Sequence, residues 1–384
     1  METPDTLVAE EIAGVAPEIV SKVLSKTATK LAREVEKVRA YIDRIRGAIE
    51  SRRGLDTFLI GRAGDYDRLC YASIDSSFTA PAIELVGGYL GIIAVVTVFY
   101  GSRCARDSRG GVGAEVFTEL WFNRDRVNDF AKYYERSAAV RLLEMKRRGE
   151  AYFDVLLVDG EIIPRFLGKA AADPVKKKLV DIAGRMLELA DETDTAVVGV
   201  LKRSYSRDLV NILGLHDLRL SDRAVMSLVL EPGEYLVVGS YSYLHQELEK
   251  LRNMPDVDKN WLNARLEWCE GLLRNIPSGY NVKLAFYRAL KTLYPTATKV
   301  EYVTSDSLHE DSLLSNLVKI STATGLPAPI DEADRLATAT LTKEVRQTAY
   351  QKLVAEVAKN VGSSARDILP LLSLTNPEKL GPIL

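Results

Sequence analysis

Short apolar runs of strand length alternate along the chain with longer stretches in which apolar residues recur at helical spacing. Three runs rich in β-branched and aromatic residues come first: YASIDSSF (71–78), YLGIIAVVTVFY (89–100) and AEVFTELWF (114–122). Turn-forming residues separate the second run from the third, so the pattern predicts a three-strand antiparallel meander. The segment 123–148 follows with helical spacing and without glycine or proline, which predicts a helix.

After this helix the chain alternates between strands and helices. An apolar strand is predicted at 155–158, a helix at 174–191 and a second apolar strand at 196–201. Three strands, a helix, a strand, a helix and a strand is the order of a ribonuclease H-like domain, in which parallel strands joined through helices follow an antiparallel meander. We therefore predict an α/β fold with a ribonuclease H-like mixed sheet and flanking helices.

The second half of the chain has a less regular pattern. Helices are predicted at 221–230, 260–274, 309–323 and 331–340, and strands at 234–243, 282–290 and 299–303. From residue 342 onward the pattern is helical again and ends in an apolar stretch, 368–374. That stretch either closes the core or binds a partner.

Residues 7–52 are predicted to be helical, and Gly54 ends the pattern. Spacings of four and three alternate among the apolar positions of a narrow, coiled-coil-like seam: Leu31, Val35, Val38, Ile42, Ile45 and Ile49. The stripe fits an arm that pairs with another helix or subunit, and it also fits a helix packed on its own domain. The charged flanks favour a helical partner. The predicted domains are a helical N-terminal arm (1–54), a central α/β domain (55–341) and a helical C-terminal tail (342–384).

Composition and charge set broad limits. The chain has 384 residues, of which 47% are hydrophobic and 27% charged, enough for one large core with appendages or for two domains. The net charge of -2 neither requires nor excludes nucleic acid, because local clustering of charge decides binding. The acidic start lacks the pattern of a secretory signal, and the longest apolar run is short and contains Gly91. We expect a cytoplasmic protein without a membrane segment.

Three cysteines, Cys70, Cys104 and Cys269, lie far apart in the sequence and form no CxxC pair. This spacing argues against a zinc site and against a disulfide framework. We expect all three to be small buried apolar residues.

Two of the predicted strands end in an aspartate, Asp75 in the first strand and Asp159 after the strand at 155–158. Each has an ordinary alternative role, because Asp-Gly is a hairpin-turn signal and an aspartate before serines can cap a turn. In a ribonuclease H-like order, an acid on the first strand, one on the following helix and one at the end of the fourth strand converge. Asp75, Glu144 and Asp159 occupy these three places.

Five segments resemble the NurA nucleases of archaea and some bacteria: SIDSSF, LLVDGEIIPR, VVGVLKRSYSRDL, LSDRAVMSLVLEPGEY and GLPAPIDEADRLATA. They keep the family's order between about Cys70 and Thr340. The resemblance implies a fold similar to ribonuclease H and a manganese-dependent DNA nuclease. Such an enzyme acts as a 5′ to 3′ exonuclease on single- and double-stranded DNA and as an endonuclease on single strands.

The resemblance also implies roles for individual residues. Lys202 would take part in catalysis, and the implied metal ligands, which also count as catalytic, are Asp75, Glu144, Asp159 and Asp334. The sequence departs from the family at Ser76, where glycine is usual, and at Leu326, where tyrosine is common. Glu150 lies close to Glu144 in sequence, and the distance of 15 residues to Asp159 favours Glu144.

Carboxylates suit this chemistry because Mg²⁺ and Mn²⁺ prefer oxygen ligands. Two such ions can generate hydroxide and stabilise the leaving oxygen of a phosphodiester, so we expect a two-metal site with Mn²⁺, or alternatively Mg²⁺. Lys202 would stabilise charge on the phosphate. Arg165, Arg203 and Arg207 are expected to bind DNA phosphates, and for the last two a solvated turn remains the alternative.

The sequence contains no P-loop motif, so a processive enzyme would need a motor from another protein. The resemblance implies that a HerA-type hexameric ATPase supplies it during DNA-end processing for recombination repair, and that the chain forms a homodimer. Two alternatives remain open. One is a non-catalytic DNA-end or ATPase-binding subunit, and the other is a structure-specific endonuclease of the same fold.

Overall fold

A computed structural model of the chain describes residues 25, 27–33, 41–55, 57–64, 68–101, 104, 112–121, 126–164, 173–293, 295–361, 367 and 369–375. Within these residues ten strands form one sheet: β1 (Leu59–Arg62), β2 (Tyr71–Phe78), β3 (Ile83–Leu85), β4 (Gly88–Tyr100), β5 (Val112–Trp121), β6 (Val155–Asp159), β7 (Ala196–Leu201), β8 (Glu234–Ser240), β9 (Lys283–Tyr287) and β10 (Thr298–Val303).

Helices flank this sheet on both faces. Their bounds are α1 (Ile42–Ser51), α2 (Val127–Arg147), α3 (Pro174–Glu192), α4 (Asp208–Ile212), α5 (Asp222–Val229), α6 (Tyr241–Lys250), α7 (Lys259–Asn275), α8 (Glu310–Ile320), α9 (Ala328–Thr340) and α10 (Lys343–Val361). Short 3₁₀ turns occupy Leu251–Asn253 and Leu369–Leu372. The predicted α/β class is confirmed.

The strand order across the sheet is β1-β8-β9-β10-β7-β6-β2-β4-β3, and β5 pairs with β4. Strands β2, β6 and β7 are parallel to one another, whereas the other pairings are antiparallel. The parallel strands β6 and β7 lie in the middle and are almost wholly buried, as expected for strands covered by helices on both faces. Their carboxyl ends therefore meet at one edge of the sheet.

The predicted meander is confirmed, with an addition. Strand β2 pairs with β4 from Tyr71 opposite Tyr100 to Phe78 opposite Ile93, and β5 pairs with β4 on its other side. The sequence pattern missed the three-residue strand β3, which continues alongside the beginning of β4.

Successive side chains along each strand point to opposite faces of the sheet, so the core has two layers. Leu156 and Val158 of β6 face the layer that contains α2 and α3, while Leu157 faces the layer that contains α8 and α9. Helix α9 also packs on β2 and β4, where small residues such as Ala333 allow a close approach. Helices on both faces can therefore contact side chains at the strand ends.

Part of the predicted N-terminal arm belongs to the core. Ile45 and Ile49 of α1 are fully buried in the layer that contains α2 and α3. Arg44 also forms an ion pair with Asp217 across 2.8 Å. These two positions of the seam therefore pack on the chain's own domain and not on another subunit. Val35 and Val38 lie outside the described residues.

The prediction for two of the cysteines was wrong, because Cys70 and Cys104 form a disulfide with their Cα atoms 4.8 Å apart. Cys70 precedes β2 and Cys104 follows β4. Since Tyr71 and Tyr100 face each other in the antiparallel pair, residues just beyond this end come together although they lie 34 positions apart. Cys269 is buried and takes no part in a disulfide, as predicted.

The C-terminal residues that the structure describes pack on the meander. Leu372 is buried with Leu90 and Ile92 of β4, and the Thr375 N–H donates to the Glu84 carbonyl. This part of the apolar stretch closes the core, one of the two predicted roles. None of the described helices is both long enough and apolar enough to cross a membrane.

Candidate active site

Three functional side chains lie where the parallel pairing of neighbouring strands ends, although β2 itself continues past Asp75 to Phe78, so the prediction that Asp75 ends its strand was wrong. Ile74 of β2 lies opposite Val158 of β6, so Asp75 and Asp159 are the next residue on each strand. Lys202 directly follows β7. Ligands of α/β sheets commonly bind outside the carboxyl ends of parallel strands, and the chain gathers its charges there.

The Lys202 ammonium lies at the centre of this group. Its Nζ donates to Asp75 Oδ2 and lies 3.3 Å from Asp159 Oδ1 and 3.5 Å from Asp334 Oδ1. Asp334 comes from α9, which covers β2 and β4. Four of the five residues predicted as catalytic are therefore brought together around one cation, although they are spread over more than half of the sequence.

The helix-borne acid of the cluster is Glu135 and not the predicted Glu144. Glu135 is 4% exposed and accepts a hydrogen bond from Ser76 Oγ, directly beside Asp75. Glu144 lies nine residues further along α2, about 14 Å along the helix axis, beside Arg148. The structure does not bring Glu144 to the strand ends, because spacing to Asp159 does not fix which turn of a helix faces the site.

A signal in the sequence could have found Glu135. It stands in the buried stripe of α2 with Ala131, Ala138 and Leu142, at spacings of four, three and four. A carboxylate in an apolar stripe is costly unless it is paired or binds a cation, so its position is itself informative. Glu144 is not among the buried residues of the helix.

Ser76, where the family usually has glycine, connects two of the acids. Its Oγ donates to Glu135, and its backbone N–H donates to Asp75 Oδ1 at 2.7 Å. Ser76, which lies within β2, therefore fixes the rotamers of both carboxylates. A glycine could provide the second hydrogen bond but not the first.

Burial and mutual repulsion raise the pKa values of the inner acids. Burial raises the pKa of Asp75 well above its usual range, and the charges of Asp159 and Glu135 raise it further against the opposing effect of Lys202. Burial likewise raises the pKa of Glu135 to about 7, helped by Asp159 and opposed by Arg136. Desolvation lowers the pKa of Lys202, but the surrounding aspartates outweigh it and raise it overall. Lys202 and Arg136, whose guanidinium lies 3.3 Å from the Glu135 carboxylate, therefore offset burial and repulsion only in part.

The turn after β6 is fixed from two sides. Arg136 donates to the Asp159 carbonyl at 3.1 Å and also to the Glu161 carbonyl. From the other side, the buried carboxylate of Glu301 accepts the Ile162 N–H at 3.0 Å. These hydrogen bonds hold the backbone that carries the Asp159 side chain.

Gly199 of β7 makes room for this turn. A Cβ at that position would lie 2.5 Å from the Gly160 carbonyl oxygen and 3.1 Å from the Ile162 N. Gly160 itself has a φ of +73°, in the left-handed region that favours glycine. The two glycines let the chain turn sharply over the neighbouring strand, which places Asp159 beside Asp75.

The three arginines predicted to bind DNA have different positions. Arg203 follows Lys202 and is exposed, so its guanidinium is available to a phosphate. Arg207 is half-buried and donates to the Leu218 carbonyl at 2.6 Å, which gives it a structural role within the fold. Arg165 lies outside the described residues.

The donor set suits a divalent metal ion in its chemistry, although no three of its carboxylates have ligand atoms within 4.8 Å of one another as they stand. Asp75, Glu135, Asp159 and Asp334 offer hard carboxylate oxygens. A bound cation would favour the ionised forms of Asp75 and Glu135, whose pKa values are raised. Lys202 stands among the same oxygens and is the competing cation. These four carboxylates, with Glu135 in place of Glu144, are the residues that would hold the metal.

A second group of possible ligands lies elsewhere. One ligand atom each from His245, Glu249 and Glu270 lies within 4.8 Å of the others, on α6 and α7. Glu249 is engaged by Arg252 through two hydrogen bonds. This group includes no residue from the parallel strand ends, and we do not assign the catalytic metal to it.

Several solved structures are similar to this chain. A crystal structure of the NurA nuclease from Sulfolobus solfataricus is similar to this chain, with a TM-score of 0.52 and 14% identity over 90% of this chain and 98% of that one. Crystal structures of NurA with manganese (TM-score 0.45, 11% identity, 87% of this chain and 98% of that one) and of NurA bound to dAMP and manganese (TM-score 0.42, 10% identity, 85% and 96%) are also similar. No curated protein matches the sequence. The family model described as the NurA domain matches residues 22–338, most of the chain, and the chain therefore belongs to the NurA family.

Proposed function

We propose that this NurA-family chain is a metal-dependent nuclease that hydrolyses DNA phosphodiesters. Membership of the family supports a nuclease. The single observation that carries the proposal is the convergence of four carboxylates and one lysine at the carboxyl ends of β2, β6 and β7. Lys202 contacts three of these carboxylates and Arg136 the fourth, yet the pKa values of Asp75 and Glu135 are still raised, so the cluster favours binding of a further cation.

The proposed cofactor is Mn²⁺, with Mg²⁺ as the alternative, bound as a pair of ions. When bound, these ions would activate a water molecule and neutralise charge on the scissile phosphate and the leaving oxygen. The hard oxygen donors and the absence of cysteine and histidine among the cluster's residues support ions of this class. Asp75, Glu135, Asp159 and Asp334 would hold them.

The protein's own groups have separate tasks in this scheme. Ser76 keeps Asp75 and Glu135 in fixed rotamers, so the ligands need little reorganisation before reaction. The Lys202 ammonium, released from the carboxylates by the bound cations, would stabilise charge on the phosphate. Arg203 would position a neighbouring phosphate without reading its base.

We further propose that the core is ribonuclease H-like. The local order β5-β4-β2-β6-β7, with an antiparallel meander followed by two parallel strands, supports this proposal. In this proposal Asp75 of β2, Glu135 of α2 and Asp159 of β6 would be the acids of the first core strand, the following helix and the fourth core strand.

Finer properties are proposed from the family resemblance. They are 5′ to 3′ exonuclease activity on single- and double-stranded DNA, endonuclease activity on single strands, and a cytoplasmic role in DNA-end resection for recombination repair. A homodimer that works with a HerA-type hexameric ATPase is part of the same proposal.

The test is cleavage of 5′- and 3′-labelled single-stranded DNA with Mn²⁺ by the wild-type chain, Asp75→Asn and Glu144→Gln. We expect Asp75→Asn to lose at least about a hundredfold of activity, as for other groups aimed at the reacting charge, and EDTA to abolish it. Glu144→Gln removes an acid that lies outside the cluster, and this variant should retain activity.

Three results would overturn parts of the proposal. Equal activity of wild type and Asp75→Asn would exclude this catalytic site. An inactive wild type that still binds DNA ends would indicate a non-catalytic subunit. Nicks only at junctions, in place of ladders that progress from the 5′ end, would indicate a structure-specific endonuclease.

A further inference from the structure

The segment 202–207, which we term the lysine loop, joins β7 to α4 and begins with Lys202. Helix α5 holds both ends of it. Arg223 Nη1 donates to the Lys202 carbonyl at 2.7 Å, and Asp222 Oδ2 accepts from Ser206 Oγ at 2.8 Å. Asp222 is buried, and this hydrogen bond is partly buried. The lysine loop is therefore anchored at its beginning and close to its end.

The same anchors connect the loop to the sheet. Arg223 Nε also donates to the Ala297 carbonyl at 2.8 Å, just before β10 begins. Lys299 of β10 donates to Ser206 Oγ at 2.8 Å. The position of the loop backbone is thus fixed relative to the sheet, without contacts from the side chains at the loop's tip.

Tyr205 projects from this anchored loop into solvent. Its exposure is 86%, whereas the other exposed aromatic residues in the described part of the chain, Tyr100 and Tyr152, reach 43% and 38%. An isolated exposed apolar residue is common on protein surfaces and needs no explanation by itself. What distinguishes Tyr205 is that a fixed backbone presents a nearly bare aromatic ring three residues after Lys202.

The ring lies within reach of a substrate held at the carboxylates. Three residues span at most about 11 Å of chain, and the exposed Arg203 lies between the two. A DNA strand whose phosphate lay at Lys202 would pass an adjacent base close to the Tyr205 ring. Stacking on an aromatic side chain requires an exposed base face but no particular base, because every base has a π-face.

We propose that Tyr205 is a stacking platform for an unpaired nucleobase next to the scissile phosphate. This inference rests on the proposed nuclease function and names the substrate form that the site accepts, a strand with at least one unstacked base. Bases inside a duplex are stacked on both sides and cannot offer a face to the ring. The loop therefore favours single strands and frayed ends.

The experiment measures binding of fluorescent oligo(dT), and of an abasic oligonucleotide of equal length, to the full chain in EDTA, where cleavage does not occur. Tyr205→Leu should weaken oligo(dT) binding about tenfold, within the range of about 5- to 150-fold that loss of one stacked base produces. Tyr205→Phe and Tyr205→Trp should retain binding, because they keep the aromatic face. Abasic binding should stay unchanged in all three variants.

Further readouts separate stacking from other roles. Tyr205→Trp should add a fluorescence signal that oligo(dT) quenches and the abasic strand does not, relative to the wild type. Tyr100→Leu is the matched control for loss of an exposed tyrosine and should bind oligo(dT) normally. Cleavage of bis(p-nitrophenyl) phosphate, a diester without a base, should be the same for Tyr205→Leu and wild type.

Two outcomes would overturn the inference: unchanged oligo(dT) binding by Tyr205→Leu, and equal weakening of oligo(dT) and abasic binding. The first result would indicate that the exposed ring binds a protein partner instead of a base. The second would indicate that the ring contacts the DNA backbone. Failure of the nuclease proposal is distinguishable. A wild-type chain without cleavage activity would remove that proposal, while the difference between oligo(dT) and abasic binding would still report on Tyr205.

Discussion

Replacing Glu135 with glutamine should stabilise the metal-free protein in a pH-dependent way. Glu135 is buried among carboxylates, and its pKa rises from 4.5 to about 7 on folding. An acid with a raised folded pKa supports folding fully below pH 4.5 and loses that contribution as the pH rises through 7. Glutamine does not titrate and can still accept a hydrogen bond from Ser76.

The magnitude follows from the size of the shift. A rise from 4.5 to about 7 corresponds to about 3 kcal/mol, since one pKa unit is about 1.4 kcal/mol. The free energy of unfolding of Glu135→Gln, relative to wild type, should therefore increase by about 3 kcal/mol between pH 4.5 and pH 8. Effects that do not depend on pH, such as a change in side-chain packing, cancel in this difference, whereas the ion pair with Arg136 is already included in the pKa of Glu135.

The assay is urea unfolding in EDTA at several pH values, followed by circular dichroism. Glu144→Gln is the matched control for loss of one acid from the same helix, and the Glu135→Gln curve is read relative to it. Adding Mn²⁺ at pH 8 should reverse the order, because wild type gains more from a cation that binds the ionised carboxylate. A difference between Glu135→Gln and wild type that stays constant within about 1 kcal/mol from pH 4.5 to pH 8 would refute the reasoning.

Lys202→Met should lower nuclease activity about a hundredfold or more and destabilise the EDTA-treated protein by about 3 to 5 kcal/mol in urea, because buried carboxylates lose their cation. Arg223→Met should reduce activity and speed hydrogen exchange at 202–210, whereas Arg288→Met, which removes a similar donor to a different backbone carbonyl, should do neither at this segment. Equal exchange in both would argue against the anchoring role. Gly199→Ala should lower the thermal midpoint and cost about 1 to 3 kcal/mol, because its Cβ would lie 2.5 Å from a carbonyl oxygen of the turn after β6. A normal midpoint would show that the turn can move.

Much of the central fold could be predicted because its strands are apolar runs with sharp ends. The bounds of β2 and β7 agree with the predicted 71–78 and 196–201. Strands β1 and β3 were missed because they have only four and three residues and depend on their neighbours in the sheet. The predicted strand at 234–243 ran past its end, since Ser240 caps α6 and aromatic residues of high strand propensity begin that helix.

The site was partly predictable for a related reason. Asp159 and Lys202 are fixed by strand ends, which the sequence marks clearly, Asp75 is a single charge within an apolar strand, and Asp334 followed from the family resemblance. Glu135 was missed because counting residues back from Asp159 ignores which face of a helix is buried. The disulfide of Cys70 was missed because its partner position is defined only by the pairing of β2 with β4.

The central claim is that the strand-end carboxylates bind the catalytic metal, and anomalous scattering from crystals soaked in Mn²⁺ tests it most directly. We predict an anomalous peak for Mn²⁺ at coordination distance from oxygens of Asp75 and Asp159. The Lys202 ammonium should then no longer lie between these two carboxylates. Well-occupied Mn²⁺ elsewhere, for instance only beside His245 and Glu270, with none at the strand ends, would contradict the account.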